Sequence, residues 1–223
     1  MIPLRDTIKS RTVPYVNYTI IAVCGVVFLY ELSLGARLER FILAMAVTPA
    51  EVSTTILQGD VSFRPLATLV SSMFIHGGWM HLIGNMLYLY IFGDNVEDRL
   101  GHLGYLLFYV LAGAGAALTE VYFQRGSTVP LLGASGAIAG VLGAYFLLYP
   151  RSRILTVIPL FVFFPVVEIS AFFFLGFWFL MQFVQGALSA GIPADGGVAW
   201  WAHAGGFVVG AVLLPLFLLA RRA

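Results

Sequence analysis

The sequence predicts an all-α fold, a polytopic membrane protein with a six-transmembrane-helix bundle. Composition is the first reason: 60% of the 223 residues are hydrophobic and only 10% are charged. Mean hydropathy is +0.93, beyond what a soluble domain of this size carries. The second reason is segmentation, because several apolar runs approach the roughly 20 residues that cross a bilayer as a helix. A membrane barrel would show short alternating segments instead. The net charge of +1 offers no electrostatic footprint for nucleic acid. The one cysteine, Cys24, lies inside an apolar run and permits no intrachain disulfide.

The spans follow in order. Arg5, Lys9 and Arg11 precede the first, about Val16–Leu34, which is long for a signal-peptide core and reads as a retained span. A mixed connection, Gly35–Pro65, contains apolar pieces too short to cross, such as Phe41–Met45. Pieces of that length lie in the interface or are buried, so this connection is expected to be membrane-associated. Leu66–Ile75 is apolar enough to dip into the interface. Span two, about Trp79–Val96, ends in the polar cluster Asp94–Arg99. Span three is about Leu103–Phe123 and has Glu120 near its end. Span four, Leu131–Tyr149, stops at Pro150, before Arg151 and Arg153. Ile154–Phe164 is apolar but is interrupted by Pro159 and followed by Pro165. Span five is about Ile169–Leu188, and a Gly/Pro loop, Ala190–Gly197, leads to span six, about Val198–Ala220. The whole chain, 1–223, reads as a single membrane domain with a short tail of about 15 residues before the first span.

An even number of spans puts both termini on one side. That side carries Arg5, Lys9, Arg11, Arg99, Arg151, Arg153, Arg221 and Arg222, and the other carries Arg37, Arg40, Arg64 and Arg125. The positive-inside bias makes the first side cytoplasmic. The expected location is a multi-pass position in a prokaryotic cytoplasmic membrane, with the lipid bilayer as the immediate partner.

Span counting also assigns depth. Spans two, four and six run in the same direction. His81 and Asn85 fall in the first turns of span two, Ser135 in the first turns of span four and His203 in the first turns of span six. All four share one depth, whichever way round the protein sits. Polar side chains inside a membrane are costly and face the bundle interior or a water-filled cavity. Either histidine alone would read as a hydrogen-bonded packing residue; four such groups at one depth read as a site. Gly136 and Gly140 in span four, and Gly206 and Gly210 in span six, are pairs at four-residue spacing that let helix backbones approach closely. Such an approach brings His203 within reach of Ser135.

This set suits nucleophilic catalysis. A serine hydroxyl attacks only when a neighbour takes its proton, and a neutral histidine does that near pH 7. The helix start at Ser135 supplies free backbone N–H groups for a developing oxyanion. His81 and Asn85, four apart on one helical face, add side-chain donors. No carboxylate of spans two, four or six lies at this depth, and neither Glu120 nor Asp195 shows helical spacing to His203, so the reading is a Ser–His dyad. His76 and His81, five apart without carboxylates, make a poor zinc site; no metal and no cofactor are expected.

Three strings together carry a family resemblance: His76-Gly77-Gly78-Trp79-Met80-His81-Leu82-Ile83-Gly84-Asn85-Met86, Gly133-Ala134-Ser135-Gly136, and Ala202-His203-Ala204-Gly205-Gly206 continuing to Gly210. In order and span position, the chain resembles the rhomboid intramembrane serine proteases from Val16 to Ala220. The resemblance implies that Ser135 is the nucleophile and His203 its base. It implies an oxyanion hole of His81, Asn85 and the Ser135 backbone N–H. It ranks His76, Gly133, Gly136, Gly206 and Arg64 as supporting residues. It implies a substrate that is the transmembrane segment of another membrane protein, with the aromatic span five bordering its lateral route. Two positions depart from the family pattern. A Trp-Arg pair of the first loop is Phe63-Arg64 here; Arg64 either anchors that loop by pairing with Glu97 or loop backbone, or is an interfacial arginine near lipid headgroups. The aromatic four residues after the serine, which packs on the histidine, is Ala139 here, so the imidazole needs support from span two or five. The alternatives are a catalytically silent rhomboid-like binder of membrane proteins, a small transporter, and a purely structural membrane protein. A transporter would show midplane polar residues and inverted repeats.

Overall fold

A computed structural model describes residues 1–59, 63–189 and 198–221. The loop Ala190–Gly197, with Asp195, and the terminal Arg222 fall outside the described residues. In chain order the elements are β1 (Ile2–Asp6), α1 (Tyr15–Ser33), α2 (Leu38–Met45), α3 (Pro49–Leu57), α4 (Phe63–Ser71), α5 (Trp79–Leu100), α6 (His102–Phe123), α7 (Ser135–Leu148), β2 (Arg153–Val157), β3 (Val166–Ser170), α8 (Ala171–Leu188) and α9 (Trp200–Ala220).

The architecture is an α-helical membrane bundle with a small sheet at one end. Among the described residues, four helices are long and apolar enough to cross a membrane: α1, α6, α8 and α9. The segment Phe63–Phe74 and α5 qualify together as a fifth, bent by 81°. The remaining expected span, span four, is α7, which has 14 helical residues. At 1.5 Å per residue it is about 21 Å long, short of a hydrocarbon core of about 30 Å. Its middle, Ala137–Tyr145, is buried without a break. A helix that is apolar on every face belongs inside the bundle, and here α5, α6, α8 and α9 pack around α7.

Glycine lets the inner helices touch. A Cβ on Gly206 would run into the Gly136 carbonyl oxygen, and one on Gly210 would run into the backbone of Gly140. The two glycine pairs therefore face each other, and backbone meets backbone between α7 and α9. On its other side, Gly140 lies against Ala112 of α6.

Buried carboxylates tie helix starts. The first N–H groups of a helix have no partner within it. In α1 those of Val16 and Asn17 donate to Glu97, at 3.0 and 2.7 Å. Glu97 is fully buried near the end of α5 and also meets His102 Nδ1. The polar cluster after span two is thus helical to Leu100, and its Asn95 and Glu97 turn inward. In α9 the Ala202 N–H donates to buried Glu120 of α6 at 2.8 Å.

The sheet has the order β1-β2-β3, antiparallel throughout. The proline-interrupted apolar stretch after span four is its hairpin, β2–β3. Ile154 and Thr156 point inward, and Leu160–Phe164 form an exposed tip. Asp6 joins β1 to the bundle by accepting from Asn95 Nδ2 at 3.0 Å and from the Tyr145 hydroxyl. At the same end Arg221 donates to the Asp98 carbonyl, so α9 finishes beside the end of α5 and the first and last described residues share one face.

Candidate active site

Ser135 is the first residue of α7, with Ala134 in front of it. The approach to it is pinned twice. Leu131 exchanges both backbone hydrogen bonds with Val47, and the Gly133 N–H donates to the Ser72 carbonyl at 2.8 Å. Gly133 has φ +115°, a backbone that other residues rarely adopt, and a Cβ there would strike the His81 ring. The glycine thus lets the loop pass under His81 and deliver the serine.

His203 lies one turn into α9. Its Nε2 is 2.8 Å from Ser135 Oγ. Its Nδ1 is 2.8 Å from Oε1 of Gln182, on α8. The Trp178 ring lies 5.9 Å from the imidazole and that of Trp200 lies 6.4 Å away. The expected support from a neighbouring span is present: with Ala139 buried under Gly206, α8 contacts the ring instead. Gln182 was not singled out by sequence reasoning, which followed ionisable residues and the three co-directional spans. The signal available was an amide, Gln182, in an apolar, aromatic-rich span.

His81 and Asn85 stand on α5 facing Gly133. The Gly77 N–H points at His81 Nδ1, at 3.4 Å, which leaves Nε2 as the nitrogen that carries the proton. That Nε2 is the side of the ring next to Gly133. Asn85 is buried, and among the described residues its Nδ2 finds no acceptor. Two donors therefore converge beside Ser135 without being consumed by the fold. His76 is also buried; its N–H donates to the Glu31 carboxylate at 3.2 Å, and its ring meets the His81 ring edge-on at 5.3 Å. It buttresses His81. Gly136 is where α7 meets Gly206 of α9.

Arg64 is exposed at the start of α4. It does not pair with Glu97. That carboxylate sits at the far end of α5, occupied by the α1 N–H groups and His102. The Glu97 pairing fails because Glu97 closes a helix start at the sheet end of the bundle, whereas α4 belongs to the connection at the opposite end.

Ser135, His203, His81 and Asn85 all line one cavity of about 760 Å³. Its remaining wall is mostly apolar, with Tyr88, Ile138, Leu142 and Trp178 among the lining residues. Near the sheet end α5 and α8 touch through Phe92 and Phe174, 6.5 Å apart. Towards the site end the cavity lies between them. Among the described residues, no group of three His, Cys, Asp or Glu side chains is placed to hold a metal ion.

The Rhomboid domain family profile matches residues 64–220, from the start of α4 to the end of α9. The chain is similar to Rhomboid protease AarA of Providencia stuartii, 27% identical over 206 residues, which covers 86% of this chain and 69% of that protein. It is 34% identical over 90 residues to RHOMBOID-like protein 6, mitochondrial, of Arabidopsis thaliana, covering 40% of this chain and 27% of that protein. It is 33% identical over 92 residues to Rhomboid protein 1, mitochondrial, of Saccharomyces cerevisiae, again 40% and 27%. The chain thus matches about a quarter of the length of these last two relatives. The profile covers most of the chain and contains every polar residue of the cavity, and on that match the protein belongs to the rhomboid family.

Proposed function

We propose that the protein is an intramembrane serine endopeptidase that cleaves transmembrane segments of other membrane proteins with a Ser135–His203 dyad. The observation that carries this reading is the 2.8 Å contact between His203 Nε2 and Ser135 Oγ at a helix start inside a membrane bundle. His203 takes the hydroxyl proton as Oγ bonds to the scissile carbonyl carbon. The carbonyl oxygen becomes an oxyanion, received by His81 Nε2–H, Asn85 Nδ2–H and the Ser135 N–H. Collapse breaks the C–N bond, and the imidazolium gives its proton to the leaving amine. Water then repeats the sequence on the acyl-enzyme, returning the proton to Ser135.

The reading extends to the setting. The arginine bias puts both termini in the cytoplasm and the site near the opposite face, where water reaches it. The short α7 leaves Ser135 below that face. The opening between α5 and α8 admits a substrate segment from the bilayer, while the connection with α2 and α3 rests on the membrane surface. The whole chain acts as one membrane domain, in a prokaryotic cytoplasmic membrane. No step calls for a cofactor.

The test reconstitutes the full chain in lipid with a single-span substrate. Wild type yields two fragments and Ser135→Ala yields none. Equal cleavage by both would remove the serine from the mechanism. No cleavage by wild type across a panel of single-span substrates would favour the silent binder.

A further inference from the structure

We propose that Gln182 is the positioning residue of the catalytic base: its side-chain carbonyl holds His203 in the tautomer whose Nε2 lone pair faces Ser135. This inference rests on the proteolytic reading above, since it assigns a role within that mechanism.

An amide oxygen only accepts, and a neutral imidazole carries one N–H. With Oε1 at 2.8 Å from Nδ1, that N–H belongs to Nδ1. Nε2 is then the acceptor, and it lies 2.8 Å from Ser135 Oγ, ready for the hydroxyl proton. The reversed amide, donating to Nδ1, would force the proton onto Nε2. An N–H would then point at Oγ, and the serine proton would have nowhere to go. Only one of the two arrangements is competent, and the side chain that selects it comes from another helix, 21 residues away in sequence.

The surroundings leave this task to Gln182. The ring is faced by Ser135 from α7, by Trp178 and Gln182 from α8, and by Trp200 from its own helix. His81 of α5 lies across the cavity. The nearby carboxylate, Glu120 of α6, is engaged by the Ala202 N–H. The tryptophans confine the ring but cannot choose its tautomer. Gln182 is itself 8% exposed, with Met181 and Phe183 on either side, and its polar end is held against the ring. The role resembles that of the aspartate in a serine-protease triad, with a difference. A neutral amide orients the ring and sets its proton but adds no negative charge.

The experiment uses the full chain in lipid and compares wild type with Gln182→Leu and Gln182→Glu. It records kcat, KM and pH profiles on a single-span substrate. It also records imidazole nitrogen-15 spectra, with His203→Ala identifying the His203 signals. In wild type at neutral pH the spectrum should show a protonated Nδ1 and an unprotonated Nε2. Gln182→Leu should lower kcat by about 100-fold, the scale of a misplaced reacting group, with KM within about twofold. Its Nδ1 and Nε2 signals should move towards the average of two tautomers. Gln182→Glu should recover part of kcat and move the acidic limb of kcat/KM to higher pH, because a carboxylate favours the imidazolium. A change in packing alone would move neither the spectrum nor the limb. Wild-type kcat in Gln182→Leu, or a wild-type spectrum with the proton on Nε2, would overturn the proposal. If Gln182→Leu does not fold, Gln182→Glu and the wild-type spectrum decide. Because the spectrum needs no cleavage, a failed protease assay and a failed tautomer assignment remain distinguishable.

Discussion

Asn85 shows how a single residue separates folding from function here. Its Nδ2 is buried and meets no acceptor among the described residues, so the fold gains little from it. Asn85→Ala should therefore leave the melting temperature close to wild type. It should lower kcat by about 10–1000-fold, as loss of one oxyanion donor among several does. Parallel thermal melts and cleavage rates check both halves. Gly84 gives a second test at this scale. It lines the cavity, and a Cβ there would meet open space. Gly84→Ala should cleave normally, and Gly84→Trp should block cleavage while the protein still folds. Much of the candidate site was legible residue by residue, because Ser135, His203, His81 and Asn85 stand in helices whose direction follows from counting. The support of His203 was not. Ala139 announced that something was missing, but the replacement, Gln182, is reached only through the packing of α8 against α9, which no spacing rule within one helix reveals.

Among the elements, the helices were readable and their attachments were less so. Spans one, three, five and six agree with α1, α6, α8 and α9 to within two residues. The sheet escaped because β2 finds its partner in β1, some 150 residues earlier. Glu97 shows the same difficulty: nothing local says that the end of α5 closes the start of α1. The attachment of β1 makes a testable pH dependence. Burial pushes the Asp6 carboxyl up to about 6, against the opposing hydrogen bond from Tyr145. A carboxyl raised above its unfolded value stabilises the folded form most below that unfolded value, and the benefit is lost as pH rises through about 6. The amides of Ile2, Leu4, Arg5 and Asp6 should accordingly exchange faster at pH 7.5 than at pH 5 after correction for intrinsic exchange. Asp6→Asn should flatten that difference. Slower corrected exchange at the higher pH would reverse the sign and sink the account.

For the whole molecule, the controlling fact is that α7 is too short and too buried to stand alone. It is held by α6 and α9 at glycine contacts, and the depth of Ser135 follows from that packing. Gly206→Val would press a branched side chain into the Gly136 carbonyl, which as backbone cannot turn away. The expected result is a loss of about 1–3 kcal/mol or more, read as a lower melting temperature, together with lost activity. Gly25→Ala in α1, where a Cβ meets nothing, should be neutral or mildly stabilising. The order and direction of the helices suffice to bring Ser135, His203, His81 and Asn85 to one cavity. The six-span reading did not give the short α7 or the 81° bend before α5, since both depend on how neighbouring elements bury backbone. The central claim is that Ser135 is a nucleophile made reactive by His203 within this bundle. The most direct measurement treats the full chain in lipid with a fluorophosphonate and locates the adduct by peptide mass. The account predicts a single adduct on Ser135 that is nearly abolished in His203→Ala. Labelling that occurs elsewhere, or that persists on Ser135 at the wild-type rate without His203, would contradict it.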